Sequence, residues 1–135
     1  MRNATTAMEE LFQALGDQTR LRLLNLMVDG EVCVCFFVEV LDEPQPKISR
    51  HLAYLRGAGL VSARRVGKWA NYTITLPEHP AARAVFEAVL STLENDLEFQ
   101  RDRLALARAC CSPRAPEQLR RAPRPAIASA AGADD

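Results

Sequence analysis

The stretch KISRHLAYLRGAGLVSARRVGKWANYTI, Lys47 to Ile74, changes its hydrophobic period partway along, and that change decides the fold. Ile48, Leu52 and Leu55 recur at helical spacing and predict a helix with one buried face. Pro46 suits the first helical position with Gln45 outside it, and Gly57 and Gly59 end the helix. Lys47, Arg50, His51 and Tyr54 then fall on the opposite face, with Ser49 at its edge. From Leu60 to Leu76 the composition turns to β-branched and aromatic residues on both sides of GKWAN, which predicts a two-stranded hairpin with Gly67 in its turn. Arg64, Arg65, Lys68 and Trp69 lie towards its tip. No Asp or Glu occurs between Pro44 and Pro77, although the whole chain carries 17 basic and 17 acidic residues and a formal net charge of zero. A solvated helix face needs no such exclusion of acids; a surface that meets phosphates does.

Upstream, Phe36, Phe37, Val40 and Leu41 predict a short helix that DEPQP, Asp42 to Pro46, brings to an end. Two short helices joined by a tight turn, the second with a basic outer face, make a helix-turn-helix, and a hairpin directly after it makes a wing. Asp17 is placed to cap an earlier helix carrying Leu21, Leu24 and Val28, which Gly30 stops. Thr6 with Glu9 fits a capping box for a first helix with Leu11, Phe12 and Leu15, ending at Gly16. Downstream, Pro80 to Cys111 has no internal proline or glycine and predicts one helix about 45 Å long. Leu90, Leu97, Leu104 and Cys111 recur every seven residues, with Phe86 and Leu93 on the adjoining row, a seam that needs a partner surface. The fold expected is mainly α with a small β-hairpin, a winged helix-turn-helix over residues 1–111, dimerising through its first and last helices. Residues 112–135 have the Pro, Ala and Arg bias of a disordered tail.

The chain has 135 residues, 48% of them hydrophobic, which suits one domain with one core. It shows neither a bilayer-length apolar run nor the apolar centre of a signal peptide, so a cytoplasmic protein is expected. There four cysteines are expected as thiols, which directs attention to GEVCVCFFVEVL, Gly30 to Leu41, where Cys33 and Cys35 are one residue apart. Side chains two apart diverge by about 200° on a helix but share a side on a strand, so a common ligand requires extended or distorted backbone here. The bland alternative is two small core residues. Against it stands the helix start, which lowers a thiol pKa and supplies thiolate for soft ligands.

Together LGDQTRLRLLNLM, GEVCVC, KISRHLAYLRGAGLV and RRVGKWANYTI, in this order, resemble the ArsR/SmtB winged-helix repressors. The resemblance covers Leu11 to Leu76 and implies a symmetric homodimer on double-stranded operator DNA, an inverted repeat, that lets go when a soft metal or metalloid binds. Cys-Val-Cys at the start of the third helix looks like the arsenic-responsive branch, with As(III) (arsenite, antimonite or a methylated arsenical) as effector and no catalytic cofactor. In that branch a third cysteine commonly follows three residues after the second; here that position is Val38. The metal-binding set implied is therefore Cys33 and Cys35, either two-coordinate or completed by Cys110 or Cys111 as a third thiolate. The DNA-binding set is Lys47, Ser49, Arg50, His51, Tyr54, Arg64, Arg65 and Lys68, and the dimer seam Phe86, Leu90, Leu93, Leu97 and Leu104. A zinc or cadmium sensor is weakened because the last helix has no histidine after His79 and no cysteine precedes Cys33. A thiol-redox sensor on the same fold remains the alternative. An enzyme is not expected, since His51 and His79 stand in no nucleophile or hydrolase motif and no phosphate loop is present.

Overall fold

The local signals at the N-terminal end act as caps in the computed structural model of the chain, which describes residues 3–111 and 117–125. The first helix, α1 (Ala4–Leu15), opens earlier than the Thr6 capping box suggested: Asn3 is its cap and accepts the Thr6 N–H at 2.9 Å. Asp17 opens α2 (Gln18–Leu26) by accepting the Arg20 N–H at 3.0 Å. A two-residue strand, β1 (Val32–Cys33), leads straight into α3 (Val34–Leu41). Asp42 ends α3 in the left-handed region, φ 52°, a conformation that a short polar side chain tolerates better than most. The recognition helix α4 (Gln45–Gly57) follows, with Pro46 in its first turn.

The wing is β2 (Val61–Val66) and β3 (Trp69–Ile74), paired antiparallel from Val61↔Ile74 to Val66↔Trp69. Gly67, φ 59°, is the first of two central turn residues, where a type II′ hairpin needs positive φ. The sequence foretold two strands; the sheet has three, in the order β1-β3-β2, because Val32 and Cys33 pair with Tyr72 and Asn71. A two-residue strand has no periodicity of its own to read. Phe36, Phe37, Leu23, Leu24, Ile48, Leu52, Leu55 and Phe86 fill the core and are almost fully buried. Each such side chain contributes about 1.5–3 kcal/mol.

The expected single helix from Pro80 to Cys111 is two: α5 (Pro80–Asn95) and α6 (Leu97–Cys111). Asp96 takes extended backbone, φ −91° and ψ 133°, and its Oδ1 accepts the Glu98 and Phe99 N–H groups as the cap of α6. Arg103 of α6 turns back and donates to Leu93 O at 3.0 Å, to Glu94 O at 2.6 Å and to Asn25 Oδ1, closing the end of α5 with a side chain from the next helix. Asn25 donates to Phe99 O at 2.8 Å, and Arg22 forks onto Asp102 at 2.8 and 3.1 Å. So tied, α6 lies against α2 and α3.

That break dissolves the continuous seven-residue seam. Phe86 and Leu93 are buried in the chain's own core and Leu90 is half-buried, while Leu97, 78% exposed, and Leu104, 50% exposed, face outward with Phe12 of α1. The tail also differs from expectation within its described part. Glu117–Arg120 forms a short helix, α7, with Leu119 and Ala122 buried. The rest of the expected disordered tail, 112–116 and 126–135, lies outside the described residues.

Candidate functional site

Cys33 and Cys35 stand where strand becomes helix. Cys33 is the last residue of β1 and the N-cap of α3, with extended φ −72° and ψ 143°, while Cys35 lies in the first turn. The extended cap removes the divergence that a regular helix would impose, and Cys35 Sγ donates to Cys33 Sγ at 3.0 Å. Cys33 is completely buried and Cys35 half-buried, so a ligand reaches the pair from the Cys35 side.

The two thiols do not titrate alike. The Cys35 S–H bond, with the Cys35 and Val34 backbone N–H groups at the helix start, brings Cys33 down to about 7 against the opposing effect of burial. Donation to Cys33, burial and the neighbouring negative charge hold Cys35 well above the ordinary thiol range. Cys33 is therefore the thiol that ionises first, a nucleophile with the Cys35 S–H as proton donor beside it.

The surroundings supply little else. Val38 is half-buried on the next turn of α3. Cys110 is buried on α6, where its thiol donates to Ala107 O at 3.6 Å, and the Cys111 side chain lies outside the described residues. Among the described residues no group of three or more His, Cys, Asp and Glu side chains could hold a metal ion. Asn71 is directly opposite Cys33 in the β1–β3 register, 1% exposed, and its Nδ2 has no hydrogen-bond partner.

On the face expected to meet DNA, α4 leaves Ser49, Arg50 and Tyr54 exposed over the buried Ile48, Leu52 and Leu55. Lys47 is half-buried and paired with Glu43 at 3.0 Å. His51, expected on the outer face, is instead half-buried against α2, with Nδ1 3.8 Å from Asp17 Oδ1 and 3.4 Å from an Arg20 guanidinium nitrogen. Arg20, which sequence reading passed over, donates to Ala14 O and Gln13 O at the end of α1 and lies 4.2 Å over the Tyr54 ring. It joins α1, α2 and α4; its only signal was the Asp17-to-Arg20 spacing of a capped first turn. On the wing Arg65 and Lys68 are exposed, with the Lys68 ammonium 5.0 Å over the Trp69 ring. Arg64 is bound to Glu31 through Nε at 2.9 Å, which holds the Glu31 carboxyl below its ordinary value.

A separate cleft of about 590 Å³ opens between α1 and the β3–α5 link, lined in part by Glu10, Leu11, Leu60, Pro77 and His79. Its imidazole is already engaged, since His79 Nδ1 accepts the Ala81 N–H as the cap of α5. No helix among the described residues is long and apolar enough to cross a membrane.

Residues 17–63 match the family model described as bacterial regulatory protein, arsR family. The chain is similar to the arsenical resistance operon repressor of Escherichia coli K12, 43% identical over 106 residues that cover 76% of this chain and 87% of that one. It is similar as well to the arsenic resistance transcriptional regulator ArsR2 of Pseudomonas putida KT2440, 40% identical over 94 residues, 69% of this chain and 79% of that one. Among solved structures, HlyU from Vibrio cholerae N16961 superposes with a TM-score of 0.58 at 27% identity, over 68% of this chain and 97% of that one. The transcriptional repressor BigR from Xylella fastidiosa gives 0.54 at 27% identity, over 65% and 87%. The mainly helical architecture with its small antiparallel sheet is the winged helix-turn-helix of these neighbours.

Proposed function

The chain belongs to the arsR family of bacterial regulatory proteins, DNA-binding regulators and not enzymes, and on that premise we propose that it is a cytoplasmic homodimeric repressor released from its operator when trivalent arsenic condenses with Cys33 and Cys35. The observation that carries this reading is the 3.0 Å contact of the two sulfurs at the junction of β1 and α3. The spacing favours a pyramidal centre. Zinc bonded at ~2.3 Å to each sulfur in a tetrahedral shell needs them about 3.8 Å apart, whereas near-right angles at the same bond length need about 3.3 Å. The pair opens least for the narrower centre.

The Cys33 thiolate is the first nucleophile, and the Cys35 S–H protonates the departing hydroxide as water. Cys35, now thiolate, closes the second bond from its exposed side, and the second hydroxide leaves as water on the proton that Cys33 had given to solvent. Opening the sulfurs strains a residue that is both strand end and helix cap, so the first turn of α3 must move. α3 reaches α4 through the short Asp42–Pro44 turn, and β1 is laddered to β3 of the wing. Both DNA-facing elements thus share a boundary with the thiols. A coupling of about 1–3 kcal/mol per site changes operator affinity roughly 5- to 150-fold, and two sites act per dimer. For contact with DNA, α4 enters the major groove with Ser49, Arg50 and Tyr54, while Arg65, Lys68 and, once free of Glu31, Arg64 reach flanking phosphates. Among the described residues, exposed Phe12, Leu97 and Leu104 with half-buried Leu90 offer apolar surface for the dimer contact.

The test is arsenite titration of the reduced protein on its own promoter DNA, with Cys33→Ser/Cys35→Ser as comparison. The double variant should bind operator and ignore arsenite; release that persists in it refutes the thiol site. Sulfurs already in contact also suit a disulfide switch, and release by peroxide but not arsenite would favour that second reading.

A further inference from the structure

The buried amide of Asn71 is not explained by packing. A β3 position facing a short partner strand is best filled by a β-branched side chain, and burying an amide N–H without an acceptor is unfavourable. Native structures rarely leave such a donor unsatisfied unless a ligand or solvent completes it. Asn71 is 1% exposed, its Nδ2 lacks a partner, and the antiparallel register sets it directly opposite Cys33. Side chains of such a pair project from the same face of the sheet, their Cβ atoms about 5 Å apart. A donor in search of an acceptor therefore stands beside the more acidic thiol of the pair.

Accepting Cys33 and Cys35 as the effector site, we propose that Asn71 completes it, donating its side-chain N–H to the oxygen that arsenic keeps after condensing with two thiols, and thereby selects inorganic over organic trivalent arsenic. In the step itself, As(OH)3 and two S–H groups give (RS)2As–OH and two waters. Two As–S bonds form, two As–O bonds break, both thiol protons leave in water, and arsenic stays trivalent throughout. One hydroxyl remains as acceptor. A monomethyl species, CH3As(OH)2, loses both hydroxyls to the same two thiols and retains only a methyl group, which offers Asn71 nothing and leaves the amide orphaned. A site with three thiolates would have no oxygen either, but none is assembled among the described residues.

The experiment uses the reduced full chain and measures affinities for arsenite and for monomethylarsonous acid, by calorimetry, in the wild type, Asn71→Leu and Asn71→Thr. Loss of one hydrogen bond predicts that Asn71→Leu weakens arsenite roughly fivefold to tenfold and leaves the methylated species unchanged or tighter. Asn71→Thr, which keeps a hydroxyl donor on a strand-favouring side chain, should retain part of the preference and serves if the leucine variant fails to fold. Equal effects on both arsenicals, or none, overturn the proposal. X-ray absorption of the wild-type arsenite complex should show two sulfur neighbours and one oxygen; three sulfurs overturn it and implicate Cys110 or Cys111. Binding of either arsenical that survives Cys33→Ser/Cys35→Ser overturns the thiol reading itself, an outcome distinct from failure at Asn71 alone.

Discussion

Replacing Arg103 with methionine tests how the last two helices are held. Arg103 is 8% exposed and its guanidinium serves three acceptors, Leu93 O, Glu94 O and Asn25 Oδ1. Methionine keeps the stem's apolar packing and removes all three donors. Leu93 O retains a weak alternative in the Asp96 N–H at 3.4 Å, and Glu94 O belongs to an exposed residue that water can reach; the completely buried Asn25 Oδ1 has no substitute. A buried acceptor left unsatisfied costs about 1–3 kcal/mol, so Arg103→Met should destabilise by about 2 kcal/mol, with relief from desolvating a cation already offset against it. For a chain of this size that is a fall in Tm on the order of 10 °C. The assay is urea unfolding at one fixed protein concentration, because the proposed dimer would make apparent stability depend on it. Adding Asn25→Leu should produce a coupling energy of about 1–3 kcal/mol in a double-mutant cycle. A loss below about 1 kcal/mol for Arg103→Met alone would mean that the bend at Asp96 needs no cation, and the account of the α5–α6 corner would fall.

Thiolate absorbance should titrate with a midpoint about 7 from Cys33, and Cys35→Ala, by removing the donor, should move that midpoint up towards the ordinary thiol value. Because the folded Cys33 value lies below the ordinary 9.0, the unfolded chain binds the extra proton between them; stability should rise from pH 7 to 9 and be lost as pH falls through 7. Cys35, raised in the fold, works in the opposite sense above pH 9, so denaturation midpoints should peak near there, and a flat profile would contradict the coupled pair. Glu31→Gln frees Arg64 for phosphate and should tighten operator binding several-fold with a salt slope steeper by about one; unchanged slope would show that Arg64 never reaches DNA. Arg50→Ala should weaken the operator more than random duplex, by about 1–3 kcal/mol, whereas equal losses in a competition assay would reduce Arg50 to a phosphate contact.

Much of the molecule was legible in its residues because the signals are local. Asp17 caps α2 through its own third neighbour, Gly67 makes its turn with its own φ, and Ile48, Leu52 and Leu55 bury one face of α4 wherever that helix is placed. The thiol pair was legible too, down to the extended backbone that two cysteines one residue apart require. The heptad seam misled for the same reason that it could be read. Spacing by seven describes a continuous helix, and Asp96 breaks it with a local cap on the Glu98 and Phe99 N–H groups, the resulting corner being held by Arg103 together with the distant Asn25. Residues 117–125 misled through composition, since Leu119 and Ala122 find a core that no sliding window contains.

Sequence alone determined the helices and hairpin of the winged helix-turn-helix and the two thiols, all properties of neighbours within a few bonds of one another. Tertiary structure alone decided that Phe86 and Leu93 belong to the chain's own core, that His51 turns inward to Asp17, that Glu31 holds Arg64, and that the Asn71 side-chain N–H donor stands unpartnered across from Cys33. Each of these joins residues separated by tens of positions. Their proximity follows from how whole elements minimise exposed apolar surface and unsatisfied polar groups together, and no stretch of the chain states that result by itself.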